Sequence, residues 1–220
     1  MGIVKRQIIK LDIGYKSVPG ADHAYGDRVL ADSSRGLFAV ADSYGISPNR
    51  GSVPSRLATY MLADFFNGDL REVISMVDRT MSKLCEFDDG IGAATMTAAF
   101  IKEGVLSVAN VGNNPAYLLR DGTMAKLYTP EKPRRDGSLS QHIPSGEGIR
   151  LHMRQRALKP GDIVVIASDG VLNILNPRDI LLFSSLRMDA AASSLIDLSQ
   201  AIEKGAGDDK SIILVKAERA

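Results

Sequence analysis

The sequence predicts an α+β fold built on antiparallel sheet, and three observations carry that expectation. Segments of period-two alternation cluster at residues 95–120, where short turns join them into a meander. Helical periodicity is confined to grouped blocks rather than interleaved with strands, which argues against a doubly wound parallel sheet. Three strands, at 37–42, 162–170 and 208–215, are apolar enough to be buried on both faces, and each carries an acidic residue at its tip: Asp42, Asp169 and Asp208.

Taken in order, residues 3–13 alternate as one or two short strands, and Ser17-Val18-Pro19-Gly20 has the composition of a turn. Residues 28–31 and 37–41 form a hairpin joined by Ser33-Ser34-Arg35-Gly36. A loop rich in Gly, Ser and Pro follows Asp42 through Val53. Residues 55–66 are helical, with Leu57, Tyr60, Met61 and Phe65 on one face. Asn67-Gly68 breaks that helix, and Asp69 caps a second one that buries Leu70, Val73, Ile74, Val77, Met81 and Leu84. The meander runs through 95–102, 105–111 and 116–120, with turns at Glu103-Gly104, Gly112-Asn113-Asn114-Pro115 and Asp121-Gly122. Residues 129–148 are polar, contain Pro130, Pro133 and Pro144, and read as an exposed loop or flap. A strand at 149–158 precedes the turn Lys159-Pro160-Gly161-Asp162 and the strand that ends at Asp169. Short helices at 171–175 and 177–183, a longer one at 190–203 and a last strand at 211–216 complete a chain read as one domain, 1–220.

Composition narrows the function. With 45% apolar and 24% charged residues the chain is an ordinary globular protein, and a net charge of +1 leaves no global field for nucleic acid or an anionic membrane. A single cysteine, Cys85, excludes an internal disulfide and a cysteine metal cluster, and its amphipathic helical setting makes it a small core residue. No apolar run has the length of a membrane span or a signal peptide, so a cytoplasmic location is expected.

The chemistry lies in the three acidic tips. A carboxylate at the end of a buried strand is costly unless positive charge is near. Three such tips at adjacent ends of an antiparallel sheet would offer hard oxygen ligands for Mg²⁺ or Mn²⁺. Histidine, present only as His23, His142 and His152, is not needed. Asp22 or Asp27, ahead of the first hairpin strand, is a fourth candidate.

At this point the chain resembles the type-2C metal-dependent protein serine/threonine phosphatases, and most of all their bacterial sporulation stage II E branch. Asp42-Ser43-Tyr44-Gly45 resembles the family's Asp-Gly-x-Gly. Ala167-Ser168-Asp169-Gly170 resembles Ala-x-Asp-Gly, and Asp208-Asp209 the acidic pair before the last strand. Gly92-Ala93-Ala94-Thr95, Ala109-Asn110-Val111-Gly112-Asn113 and Pro160-Gly161-Asp162 match further motifs in the family's order. The resemblance implies a central antiparallel β-sandwich flanked by α-helices on both faces, with two Mn²⁺ or Mg²⁺ ions at one end. It implies hydrolysis of phosphoserine or phosphothreonine in a regulatory protein by a metal-bridging water.

Carried over residue by residue, Asp42 bridges both ions, the backbone carbonyl of Ser43 is a ligand, and Asp169 and Asp208 hold one ion each or its waters. Asp22, in Asp22-His23-Ala24-Tyr25, and Asp27 compete for the N-terminal place. Two departures stand out: Ser43 replaces the usual glycine, and Asn113 replaces a common aspartate that supports a third ion. They favour the alternative of a pseudophosphatase that binds a partner without hydrolysis; the intact aspartates favour the enzyme. No arginine stands at the family's phosphate-binding position. Arg28, with Arg6 and Lys16, is a candidate for that role, and Arg134 and Arg135, with Lys132, mark a docking flap. The resemblance further implies that the substrate is a phosphorylated regulator, such as an anti-sigma-factor antagonist or a stress-complex component.

Overall fold

A computed structural model describes residues 9–20, 25–44, 51–132, 134–135, 138–146, 148–203 and 207–220. The strands are β1 (Ile9–Val18), β2 (Arg28–Asp32), β3 (Leu37–Tyr44), β4 (Ala93–Lys102), β5 (Val105–Val111), β6 (Ala116–Arg120), β7 (Thr123–Lys126), β8 (His152–Ala157), β9 (Ile163–Ala167) and β10 (Lys210–Arg219). The helices are α1 (Val53–Phe65), α2 (Leu70–Phe87), α3 (Asp169–Leu172), α4 (Pro177–Phe183) and α5 (Met188–Glu203). Two antiparallel sheets form, ordered β1-β10-β9-β6-β7 and β2-β3-β4-β5-β8.

Alternation along the strands sorts side chains into three apolar layers. Leu37, Ala39 and Ala41 of β3 face α1 and α2, against Leu62, Val73, Ile74 and Met81. Phe38 and Val40 face the other sheet, where they meet Val164 and Ile166 of β9 and Ile213 and Val215 of β10. The opposite faces of β9 and β10 carry Val165, Ala167, Ile212 and Leu214, which pack on Met188, Leu195 and Ile196 of α5. Each central strand is therefore covered on both sides, as its continuous apolarity required. The result is the predicted α-β-β-α sandwich.

Local expectations differ in several places. β1 continues through Ser17 and Val18, paired with Ser211 and Lys210, because ladder bonding to β10 outweighs the turn propensity of that segment. Residues 3–8 lie outside the described residues. β7, a four-residue edge strand paired with β6, is too short and polar to show period-two apolarity. β8 is shorter than the 149–158 pattern. The half-buried Cys85 lies in α2, and burial, with the Asp88 carboxylate beside it, pushes its thiol pKa up, opposite to what a nucleophile requires.

The Pro160-Gly161-Asp162 turn has a structural role. The buried Asp162 carboxylate accepts from Arg120 Nε (2.8 Å) and a terminal guanidinium nitrogen (2.6 Å), and from the Lys159 N–H (2.7 Å), tying β9 to β6. Removing the cation strands a buried charge. Arg120→Ala is expected to lower unfolding free energy by about 2–3 kcal/mol; a urea midpoint within error of wild type would contradict this.

Candidate active site

Asp42 continues the Phe38–Val40 row of β3, so the strand's alternation aims it at the end of the sandwich interior. β9 runs out at Ala167, and Asp169 opens the short α3. Asp208 and Asp209 precede β10, which pairs with β9. Asp27 precedes β2, whose Arg28 stands opposite Ala41 in the hairpin register. Long-range pairing thus brings four separate chain segments to one end of the sandwich.

The acids repel one another. Burial pushes Asp27 up to about 7; the Asp209 and Asp208 charges add to this, while the nearby Ser211 and Ser168 hydroxyls pull it partly back. Neither carboxylate oxygen of Asp27 closes a hydrogen bond of normal geometry. Asp42 is raised well above the carboxylate range, first by burial and then by Asp27, Asp169, Asp208 and Asp209. Burial, then Asp208, lifts Asp169 to about 6. Such a cluster calls for positive charge beside it.

The consecutive acids divide the work. Asp209 is buried and accepts from the N–H groups of Gly20 (2.6 Å), Gly26 and Asp27 (3.2 Å), fastening the segment that carries Asp27. Asp208 accepts from the Asp209 N–H at 2.9 Å and faces Asp169 and Asp42 as a charge. One glycine is required for the approach: a Cβ on Gly170 would run into the Asp209 carbonyl oxygen, whereas one on Gly26 would meet nothing nearer than Ser43 Cβ at 3.3 Å.

Ser43 resolves one of the departures. It lies in extended β3, so no positive φ asks for glycine there. Its N–H donates to the Gly26 carbonyl (3.3 Å). Its hydroxyl accepts from the Ser55 N–H (3.2 Å) and donates to Ser55 Oγ (3.0 Å). That contact satisfies an N–H in the first turn of α1, whose N-cap residue Ser52 makes no side-chain cap. Ser52 Oγ instead accepts from Arg28 at 2.6 Å.

Asn113 donates from Nδ2 to Asp169 Oδ2 at 2.7 Å, where an aspartate would repel. Its turn is anchored below by a buried polar knot: the Asn114 carbonyl accepts from Thr97 Oγ1 (2.8 Å), Asn110 Nδ2 (3.2 Å) and the Tyr128 hydroxyl. This knot explains why Asn110 belongs to the motif.

A divalent pair fits this donor set. The buried oxygens Asp27 Oδ1 and Oδ2 and Asp169 Oδ1 have no hydrogen-bond partner, and the raised carboxyls mark missing positive charge. Among the described residues no three acidic, histidine or cysteine side chains already stand together at ligand spacing. Asp42, Asp169 and Asp208 are neighbours, and Asp27 is buried among them. Asp22 and Arg6 lie outside the described residues.

Arg28 sits at the site's edge, one guanidinium nitrogen on the Asp27 carbonyl (3.2 Å) and its plane over the Tyr25 ring. Lys16 is exposed on β1. Arg134 lines a separate 520 Å³ groove with His142 and Arg150, and Arg135 is exposed beside it. A 280 Å³ pocket opens at Asp169 and takes in Asn113, Tyr117, Lys126, Pro130 and Lys132. Lys132, one of the three flap cations, shares this pocket with Asp169. Lys126 carries no sequence signal, since the four residues of β7 are too few to show a period.

No helix among the described residues is long and apolar enough to cross a membrane. The sequence matches the profile of Stage II sporulation protein E (SpoIIE) over residues 33–218. It is 26% identical over 209 residues to the serine/threonine protein phosphatase PstP of Mycobacterium tuberculosis, an alignment covering 81% of this chain and 40% of PstP. The fold superposes on the catalytic domain of PstP, solved in complex with two manganese ions, with a TM-score of 0.80 at 21% identity, covering 96% of this chain and all of that one. PppA, a regulatory component of T6SS in Pseudomonas aeruginosa, superposes with a TM-score of 0.84 at 20% identity over 94% and 97% of the two chains. The profile match spans most of the chain, and the fold and the carboxylate cluster agree with it: the chain belongs to the SpoIIE family, the bacterial SpoIIE-like branch of the type-2C serine/threonine protein phosphatases.

Proposed function

We propose that this chain, acting as one domain, is a phosphoprotein phosphatase that hydrolyses phosphoserine or phosphothreonine in a regulatory protein with two Mn²⁺ or Mg²⁺ ions. The observation that carries this is the cluster of mutually repelling acids at the end of the sandwich, buried Asp27 with half-buried Asp42, Asp169 and Asp208, in which oxygens of Asp27 and Asp169 are orphaned. Asp42, Asp169, Asp208 and the Ser43 carbonyl hold the ions, and Asp27 is preferred to Asp22 as the fourth acid. Divalent cations bound there supply Lewis-acid polarisation of the phosphoryl group and activation of water.

The chain's own residues do the rest. Asn113 holds Asp169 by one oxygen and leaves Oδ1 for the ion. Asp209 fixes the Asp27 segment through three N–H groups. Arg28 follows Asp27 directly, donates to its carbonyl (3.2 Å) and has no carboxylate partner among the described residues; it is assigned to the phosphoryl oxygens. Arg134 and Arg135, on another groove, are assigned to the body of the phosphoprotein. The substrate class is a phosphorylated regulator, such as an anti-sigma-factor antagonist or stress-complex component, and the setting is the cytoplasm, where Cys85 stays reduced.

The test is hydrolysis of para-nitrophenyl phosphate and of phosphorylated casein with Mn²⁺, with Mg²⁺ and with EDTA. Metal-dependent turnover is expected on both, and Arg134→Glu/Arg135→Glu should lower kcat/KM more on casein than on the aryl phosphate. No turnover with either ion, together with no heat of Mn²⁺ binding, would overturn the enzyme in favour of a binding module.

A further inference from the structure

The 280 Å³ pocket beside Asp169 has a polarity of its own. Its inner end is acidic: the Asp169 carboxyl, held by Asn113. Its outer end is basic. Lys126 stands directly opposite Tyr117 in the β6–β7 register, so the two project from the same face of the sheet. Lys132 joins them from the loop after β7, with Pro130 between. Both lysines are exposed, and neither has a carboxylate partner among the described residues.

The one carboxylate on this rim is already engaged. Glu131 accepts from the Ser140 N–H (2.6 Å), the Ser140 hydroxyl (2.6 Å) and the Gln141 N–H (2.9 Å). The Glu131 N–H donates to the Gly112 carbonyl at 3.2 Å, which ties this rim to the turn that carries Asn113. The lysine ammoniums are thus left facing solvent on the rim of the pocket that Asp169 also lines.

We infer that this pocket is a specificity subsite that takes an acidic side chain of the substrate, Asp or Glu, next to the phosphorylated residue. The inference rests on the phosphatase reading for the position of the phosphoryl group at the inner end. The apolar wall of Pro115, Pro130 and Leu172 receives the methylene part of the side chain, and Lys126 and Lys132 pair with its carboxylate. A basic flanking residue is repelled there, so the same lysines select against it.

The experiment measures binding separately from turnover. Fluorescein-labelled peptides carry a non-hydrolysable phosphonate analogue of phosphoserine, flanked by Asp and Glu in one set and by Lys in the other. Their affinities are read by anisotropy in Mn²⁺ for wild type, Lys126→Gln/Lys132→Gln and Lys126→Glu/Lys132→Glu. Wild type should favour the acidic set by roughly fivefold, as two exposed ion pairs permit, and the preference should shrink as salt rises. The Gln pair should abolish the preference and the Glu pair should invert it. Equal affinity of wild type for both sets, or a preference that survives in the Glu pair, would overturn the subsite. Phosphoserine versions of the same peptides separate the two claims. Hydrolysis without flank preference leaves the phosphatase and removes the subsite; flank-selective binding without hydrolysis leaves the subsite and removes the enzyme.

Discussion

Replacing Asp169 by Asn is expected to stabilise the metal-free protein and to remove most of its stabilisation by Mn²⁺. The carboxyl is held at about 6 against an ordinary 3.8 by burial and by Asp208. At neutral pH the folded state therefore keeps an anion that the unfolded chain tolerates better. Roughly two pKa units, at about 1.4 kcal/mol each, set a ceiling of about 3 kcal/mol; relaxation and water entry should leave a gain of about 1–2 kcal/mol, or about 2–6 °C in Tm. Asn keeps the shape and still accepts from Asn113. Turnover should fall by about a hundredfold or more, since the carboxylate proposed to hold an ion loses its charge.

The same physics fixes a pH dependence. Asp27, at about 7, and Asp169, at about 6, bind protons more tightly when folded than when unfolded. Their contribution to stability is complete below about pH 4 and is lost as pH rises through 6 to 7. Asp32, pulled down to about 2 by Ser34 and Arg35, has the opposite sign and loses its contribution as pH falls toward 2. Metal-free Tm should therefore be highest near pH 4 and fall as pH rises to about 7, where Mn²⁺ restores it. A metal-free Tm that is flat from pH 5 to 8, or an Asp169→Asn protein that responds to Mn²⁺ as wild type does, would contradict the assignment.

Gly170→Ala is expected to act in the direction opposite to helix propensity. Alanine in place of glycine in an exposed helix stabilises by about 1 kcal/mol. At Gly170 the added Cβ meets the Asp209 carbonyl oxygen and lies 3.1 Å from Asp208 Cβ. The obstacle is backbone, held by the Ser168 N–H to Ser211 carbonyl bond (2.9 Å) and by Ser211 N–H to Ser168 Oγ (3.0 Å), so it has no rotamer by which to escape. Loss of about 3 kcal/mol is expected, at the upper end for overpacking. The ends of β9 and β10 must separate, and they carry Asp169 and Asp208. A displacement near 1 Å there should cost about a hundredfold in kcat. Urea denaturation and aryl phosphate turnover check both effects. Wild-type stability with wild-type turnover would show that the close approach is not required.

The sequence by itself determined the layers. Strands such as 163–167 and 212–215 are apolar at every position, so both of their faces need cover, and grouped helical blocks are what can supply it on the outside. It also determined the acids at the strand tips, because a carboxylate beside a buried run is legible from local order alone. Tertiary pairing decided what each acid does. Adjacent Asp208 and Asp209 look equivalent in the chain; one faces the cluster and the other is consumed by three N–H groups of a segment more than 180 residues away. Ser43 reads as a lost glycine until β3 is seen to be extended there and the hydroxyl to serve the first turn of α1. Asn113 reads as a lost aspartate until its amide is seen to hold Asp169. Lys126 was invisible, because a four-residue edge strand has too few positions to show a period and its neighbour Tyr117 is set by register. Local periodicity reports which face of an element is buried; which residues meet across elements depends on strand pairing between distant segments, and only the folded chain specifies that.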